Sequence, residues 1–113
     1  MNKVELIKEK LSKTKRGCEK SKTVIEGSLL REKINNLSNK EEALSILIEA
    51  AHCIKVMNHL CDNAIIEAGK SIFDSSVVLA YVNEIEYYNN ELDSLGDKYV
   101  LIKNKRAEEG IKA

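Results

Sequence analysis

The chain has 113 residues, which is enough for one domain but too few for two separate hydrophobic cores. It contains no proline, no tryptophan and only five glycines, a composition that argues against β-sandwiches and β-barrels because these folds need many tight turns. Its 18 basic and 18 acidic residues balance, so the whole chain lacks the basic excess typical of nucleic-acid-binding proteins. We therefore predict a single all-α domain over residues 1–113.

Apolar residues at helical spacing predict a first helix over about residues 2–36. The stripe consists of Val4, Ile7, Leu11, Thr14, Cys18, Ile25 and Leu29. The middle of this stripe holds small or polar residues instead of large apolar ones. Gly17 and Gly27 each cost about 1 kcal/mol relative to alanine, so packing against other helices must hold this helix.

A second helix is predicted over about residues 40–68, after a turn in which Ser38 and Glu41 have the spacing of a capping box. Most residues of this helix are apolar, so we expect most of its surface to be buried. Its polar residues fall largely on one stripe: Ser45, Glu49, His52, Lys55, His59 and Asn63. Gly69 is a plausible helix-ending residue.

A third helix is predicted over about residues 74–108, with Asp74 as its N-cap. Its seam alternates spacings of three and four, as in a coiled coil. The seam residues are Val78, Tyr81, Ile85, Tyr88, Leu92, Leu95, Tyr99 and Ile102. Because the turns are short, we predict an up-down-up three-helix bundle of long, coiled-coil-like helices, with the first and third helices parallel and the bundle self-associating.

Charge is distributed unevenly along the chain. Residues 1–40 carry 11 basic and 5 acidic residues, whereas residues 41–113 carry 7 and 13. One hypothesis is that the basic first helix binds nucleic acid. The residues concerned are Lys8, Lys15, Arg16 and Lys22. We favour pairing of this helix with acidic residues of the third helix, among them Glu84 and Glu91, within the chain or between subunits.

Spacing on the second helix also resembles a metal-ligand pair. Glu49 and His52 are three residues apart, and His59 lies two turns further along the same face. A di-metal site needs a second such motif, and the sequence has only one. Three seam tyrosines are candidates for stacking on a ligand at a subunit junction. They are Tyr81, Tyr88 and Tyr99. A metal-binding or small-ligand-binding oligomer is therefore the alternative function.

Cysteine usage favours a reducing compartment. Cys18, Cys53 and Cys61 are an odd number without C-x-x-C spacing, so we expect buried, reduced thiols in a cytoplasmic protein without a signal peptide or membrane span. The sequence shows no nucleophile–base–acid set, no paired inward carboxylates and no cofactor fingerprint. We therefore predict a protein that is not an enzyme and binds no cofactor.

Six large apolar residues fall outside the three predicted seams. They are Leu30, Ile34, Leu37, Ile48, Val100 and Leu101. Their distances along the helices place them at one end of the bundle, where exposed apolar residues are typical of an interaction surface. Alternatively, the first helix ends early, and Ile34 and Leu37 cover the end of the core. We predict a non-enzymatic interaction module (adaptor, inhibitor or small structural subunit) that acts as a homo-oligomer or holds a protein partner. We rank metal or ligand binding second and nucleic-acid binding third.

Overall fold

The computed structural model describes residues 2–110, which form three α-helices without any strand in this range. Helix α1 spans Lys3–Ile34, α2 spans Lys40–Ala68 and α3 spans Ser75–Glu108. These helices confirm the predicted all-α three-helix bundle. None of them, within residues 2–110, is long and apolar enough to cross a membrane.

Helix α2 lies between α1 and α3 and packs against both. The outer helices are parallel, because Ile7 of α1 lies beside Val78 of α3 at one end and Glu32 bonds to Arg106 at the other. In the described chain, no Cα atom of α1 comes within 8 Å of a Cα atom of α3. The bundle measures 58 × 21 × 19 Å, and its outer helices leave a gap between them.

The core follows the length of α2. Its buried apolar side chains occur in nearly every turn: Ala43, Ile46, Leu47, Ala50, Cys53, Ile54, Met57, Leu60, Cys61, Ala64 and Ala68. The opposite side of α2 is exposed at all six positions of the predicted polar stripe. The division between the two sides follows from sequence periodicity because a helix that packs on two neighbours has only one face left for solvent.

The outer helices turn their predicted seams inward. In α3, Val78, Ile85, Leu95 and Ile102 are buried, and the other four seam residues are half-buried. The stripe of α1 is thinner. Leu11, Cys18 and Ile25 are buried, while the remaining four residues of the stripe are half-buried.

The helix ends show one confirmed cap and one wrong one. The Asp74 side chain accepts a hydrogen bond from the backbone N–H of Ser76 at 2.9 Å, as an N-cap should. The predicted Ser38 cap is wrong, because Asn39 holds the N-cap position with a left-handed φ of 58°. Asparagine tolerates this conformation better than most residues. The Ser38 hydroxyl instead donates to Glu109 Oε2 at 3.0 Å.

Candidate protein-binding groove

A buried ion pair joins α1 to α3 at one end of the bundle. Arg106 Nη1 donates to Glu32 Oε2 at 2.8 Å and Nη2 donates to Oε1 at 2.9 Å, while both side chains are at most 2% exposed. The Tyr99 hydroxyl donates to Glu32 Oε2 at 2.9 Å, and Arg106 Nε donates to the carbonyl of Ser38 at 2.9 Å. This bidentate ion pair holds the ends of the outer helices at a fixed separation.

Sequence reasoning missed this pair, although the seams point to it. Glu32 follows the buried Ser28 by four residues, and Arg106 follows the buried Ile102 by four. Each therefore occupies the next core position on its helix. The sequence feature that could have revealed the pair is that the apolar seams of α1 and α3 each continue into a charged residue, and that both charged residues lie at the same end of the bundle.

The protonation states fit a structural role. The Arg106 guanidinium holds the pKa of Glu32 below its usual value, against the opposing effect of burial, and the Tyr99 hydrogen bond acts in the same direction. Burial and the neighbouring Glu32 carboxylate raise the pKa of Tyr99. At neutral pH, Glu32 is therefore an anion whose bonds are taken up by Arg106 and Tyr99, and it is not poised to exchange protons.

An open groove, here the α1–α3 groove, runs along the gap between the outer helices with α2 as its floor. The floor residues are Ile46, Leu47, Ala50, Ile54 and Met57. The α1 wall includes Thr14, Gly17, Lys20, Ser21, Val24, Ser28 and Arg31, and the α3 wall includes Glu86, Asn89, Asp93, Gly96, Val100 and Lys103. Ser21 and Leu92 line both of its halves, so the groove is continuous over about 26 Å. Val24 and Val100 are 65% and 49% exposed.

Two glycines widen the groove. A Cβ atom added to Gly17 or Gly96 would meet no heavy atom of the described chain within 4 Å. Neither glycine has the positive φ that favours this residue. Each costs about 1 kcal/mol relative to alanine in a helix, and nothing in the surrounding packing requires it. The walls at these positions therefore admit a closer neighbour than this chain itself supplies.

Three of the six predicted interface residues border the groove or its closed end. Val100 lies on the α3 wall, while Ile34 and Leu37 line a cleft beside the buried ion pair. Helix α1 does end early, at Ile34, and Leu37 is half-buried. Ile34 is 75% exposed, so it does not cover the core.

The other three predicted interface residues point elsewhere. Leu30, Ile48 and Leu101 are 62%, 58% and 67% exposed. Each lies one or two residues from a buried residue of its own helix, and therefore about 100–160° around the helix from the core. They lie on three different helices and outside the lining of the groove.

The candidate metal ligands show no clustering. Glu49, His52 and His59 are all exposed on the outer side of α2. Within residues 2–110, no group of three or more His, Cys, Asp or Glu side chains is placed to hold a metal ion. Metal binding at these residues stays a prediction without geometric support.

The candidate stacking tyrosines are half-buried seam residues. Tyr88 packs edge-on against Tyr87, with ring centroids 5.2 Å apart. Tyr99 bonds to Glu32 and lies under the ammonium group of Lys103, which is 5.4 Å from the ring centroid. Tyr81 packs against the core. These contacts account for the three rings by packing within the chain.

Within the chain, the basic residues of α1 do not pair with the acidic residues of α3 as expected. Lys15 forms an ion pair with Asp62 of α2, and in the described part of the chain no ion pair joins a lysine of α1 to Glu84 or Glu91. Pairing of these residues between subunits stays a prediction. The reason is that Lys15 flanks the side of α1 that packs on α2. Among residues 2–110, the ion pair that joins α1 to α3 is the buried one. The other candidate nucleic-acid contacts are exposed or partly exposed: Lys8, Arg16 and Lys22.

The three cysteines are buried and free, as predicted. Burial raises the pKa of Cys61 to about 11 and also raises the pKa values of Cys18 and Cys53. All three are therefore protonated thiols at neutral pH, which makes them poor nucleophiles.

No protein-family model matches the chain, and no curated protein or solved structure is significantly similar to it.

Proposed function

We propose that this protein is a non-enzymatic interaction module of the cytoplasm, and that it binds an α-helical protein segment in the α1–α3 groove. The observation that carries the proposal is the groove itself, with its apolar floor, its exposed valines Val24 and Val100, and two glycines that the fold does not need. Helices bind to proteins by laying an apolar face into a groove of this kind.

The dimensions of the groove define the bound segment. A groove of about 26 Å matches a helix of about 17 residues at 1.5 Å per residue. The apolar floor favours a segment with apolar residues at i, i+3, i+4 and i+7. Polar wall residues such as Asn89 and Asp93 favour a segment whose flanks are polar.

The bundle supports such binding by keeping the walls in place. Helices α1 and α3 are each packed on α2, and the Glu32–Arg106 pair ties them together at one end. A groove whose walls are already positioned loses less conformational entropy when a partner binds.

The test compares two pairs of substitutions on the same helices. We expect Val24→Asp with Val100→Asp to abolish assembly, because it buries two carboxylates in the bound groove. The control is Leu30→Asp with Leu101→Asp, which changes residues of similar exposure outside the groove. Native mass spectrometry of the protein isolated from its host would report self-association or a retained partner chain.

Both variants should keep the circular dichroism of the wild type, because all four residues are exposed. Loss of assembly in the groove variant alone supports the proposal. Loss in the control alone would place the interface on the outer sides of α1 and α3 and refute the groove.

A further inference from the structure

We propose that the partner of the α1–α3 groove is a second copy of this chain, and that two copies pack with their grooves facing each other about a two-fold axis parallel to the helices, so that the wall helices of one copy contact those of the other. This inference rests on the proposed function and specifies its partner. The charges on the two walls carry it.

Along the first two thirds of the groove, the edges of the two walls carry rows of opposite charge at the same spacing, whereas near the Glu32–Arg106 end both walls are basic, with Arg31 on α1 and Lys103 on α3. Lys13 and Lys20 are exposed on α1, and Glu86 and Asp93 are exposed on α3. Residues seven apart lie on the same side of a helix, so each pair forms a short row. Lys20 and Asp93 line the same stretch of the groove, and Glu86 lines the next. The ion pair of Lys13 is with Glu9 of its own helix.

The two rows also match in height. At 1.5 Å per residue, Lys13 lies about 15 Å from the start of α1, and Glu86 lies about 16 Å from the start of α3. The corresponding distances for Lys20 and Asp93 are about 26 Å and 27 Å. Both helices start at the same level, since Ile7 and residues of the first turns of α3 line one cleft.

The direction of the two-fold axis determines which helix of the second copy faces each charged row. A two-fold axis parallel to the helices places α1 of each copy opposite α3 of the other, so that Lys13 faces Glu86 of the partner subunit and Lys20 faces Asp93 of the partner subunit. The same contacts occur twice in such an isologous dimer. A two-fold axis perpendicular to the helices would place α1 against α1, and the lysine rows would repel each other.

Uncharged residues extend the same register. Leu6 and Leu79 each lie seven residues before a charged residue of their row and are 46% and 59% exposed. The parallel arrangement therefore places Leu6 opposite Leu79 of the partner subunit. Seven residues beyond the other end of the rows, Val100 is placed opposite Gly27 of the partner subunit, a residue without a side chain that is flanked by Arg31.

Charge reversal tests the arrangement. One variant carries Lys13→Glu with Lys20→Glu, and the other carries Glu86→Lys with Asp93→Lys. We expect the wild type to be a dimer in sedimentation velocity, and we expect each variant alone to have a dissociation constant at least tenfold higher. In an equimolar mixture every facing pair is again opposite in charge, so a heterodimer should form with nearly the wild-type affinity.

The control carries Glu84→Lys with Glu91→Lys, which makes the same charge change at the same spacing on α3 but outside the groove lining. It should dimerise like the wild type. Circular dichroism would establish that each variant is folded. A mixture of folded variants that stays monomeric would overturn the parallel arrangement. A wild type that is monomeric at 100 μM would overturn the inference, while a groove-dependent complex with another protein would leave the proposed function in place.

Discussion

The buried Glu32–Arg106 pair provides a quantitative test of the structure. Glu32→Gln leaves the Arg106 guanidinium buried without an anion, and breaking a buried pair from one side costs about 3–5 kcal/mol. A chain of this length loses about 4 °C in its thermal midpoint for each kcal/mol. We therefore expect the midpoint of the variant to fall by about 12–20 °C at pH 7. Glu26→Gln, which changes an exposed acid on the same helix, should leave the midpoint nearly unchanged.

The pH dependence follows from the direction of the Glu32 shift. Because Arg106 lowers the pKa of Glu32 in the folded state, the stabilisation is fully present above the unfolded pKa of about 4.3 and is lost as the pH falls through the lower folded value. The difference in unfolding free energy between wild type and Glu32→Gln should therefore shrink below about pH 4. It is measured by urea denaturation from pH 3 to pH 7.

Replacing both partners should behave differently from replacing one. Glu32→Leu with Arg106→Met removes both charges and nearly keeps the volume, but it also removes the partners of the Tyr99 hydroxyl and the Ser38 carbonyl. Its stability should therefore recover most of the loss seen in Glu32→Gln. A Glu32→Gln variant as stable as the wild type would show that the pair is not buried as described. An equally large loss in the double variant would show that the unpaired charge of Arg106 is not what destabilises Glu32→Gln.

Further expectations concern the core, the groove and the thiols. Leu95→Ala should lower the free energy of unfolding in urea by about 2–5 kcal/mol because Leu95 is buried, and Leu92→Ala should lower it by the smaller of these amounts because Leu92 is half-buried. A negligible loss of unfolding free energy in both variants would refute the seam assignment. Gly17→Ala and Gly96→Ala should each stabilise the monomer by about 0.5–1 kcal/mol, because a Cβ meets open space, yet weaken dimerisation measured by sedimentation. If they strengthen the dimer instead, the close approach is wrong. Cys61 should react with a thiol reagent much more slowly in the native protein than in urea at pH 8, and equal rates would contradict its burial and its pKa of about 11.

The fold was predictable because hydrophobic spacing and burial have the same cause. Each seam residue of α3 from Val78 to Ile102 faces inward because a helix on a core must turn its apolar residues to that side. Asp74 was predictable as a cap because its bond is local to the first turn. Such features depend on residues that are close in sequence.

The missed features depend on residues that are distant in sequence. Glu32 and Arg106 are charged, so each alone suggests a surface position. Burial of either charge is tolerated because the partner's opposite charge offsets the cost of removing it from water. The Ser38 hydroxyl bonds to Glu109, which no local rule anticipates. The small and polar residues in the middle of the α1 stripe were visible in the sequence. The open groove beside them was not, because it depends on the distance between α1 and α3.

Because α1 and α3 each pack on α2 and not on each other, the contacts of the bundle differ in how far apart they lie in sequence, and this affects the order of folding. The α1–α2 and α2–α3 hairpins each bring together neighbouring segments, whereas the Glu32–Arg106 bond closes a loop of 74 residues. Loop closure is slower and costs more entropy as the loop lengthens, so the short-range hairpins should form first. Loss of the ion pair should then accelerate unfolding far more than it slows folding. The ion pair would therefore determine the unfolding rate, and with it the lifetime of the native bundle, while having little influence on the folding rate.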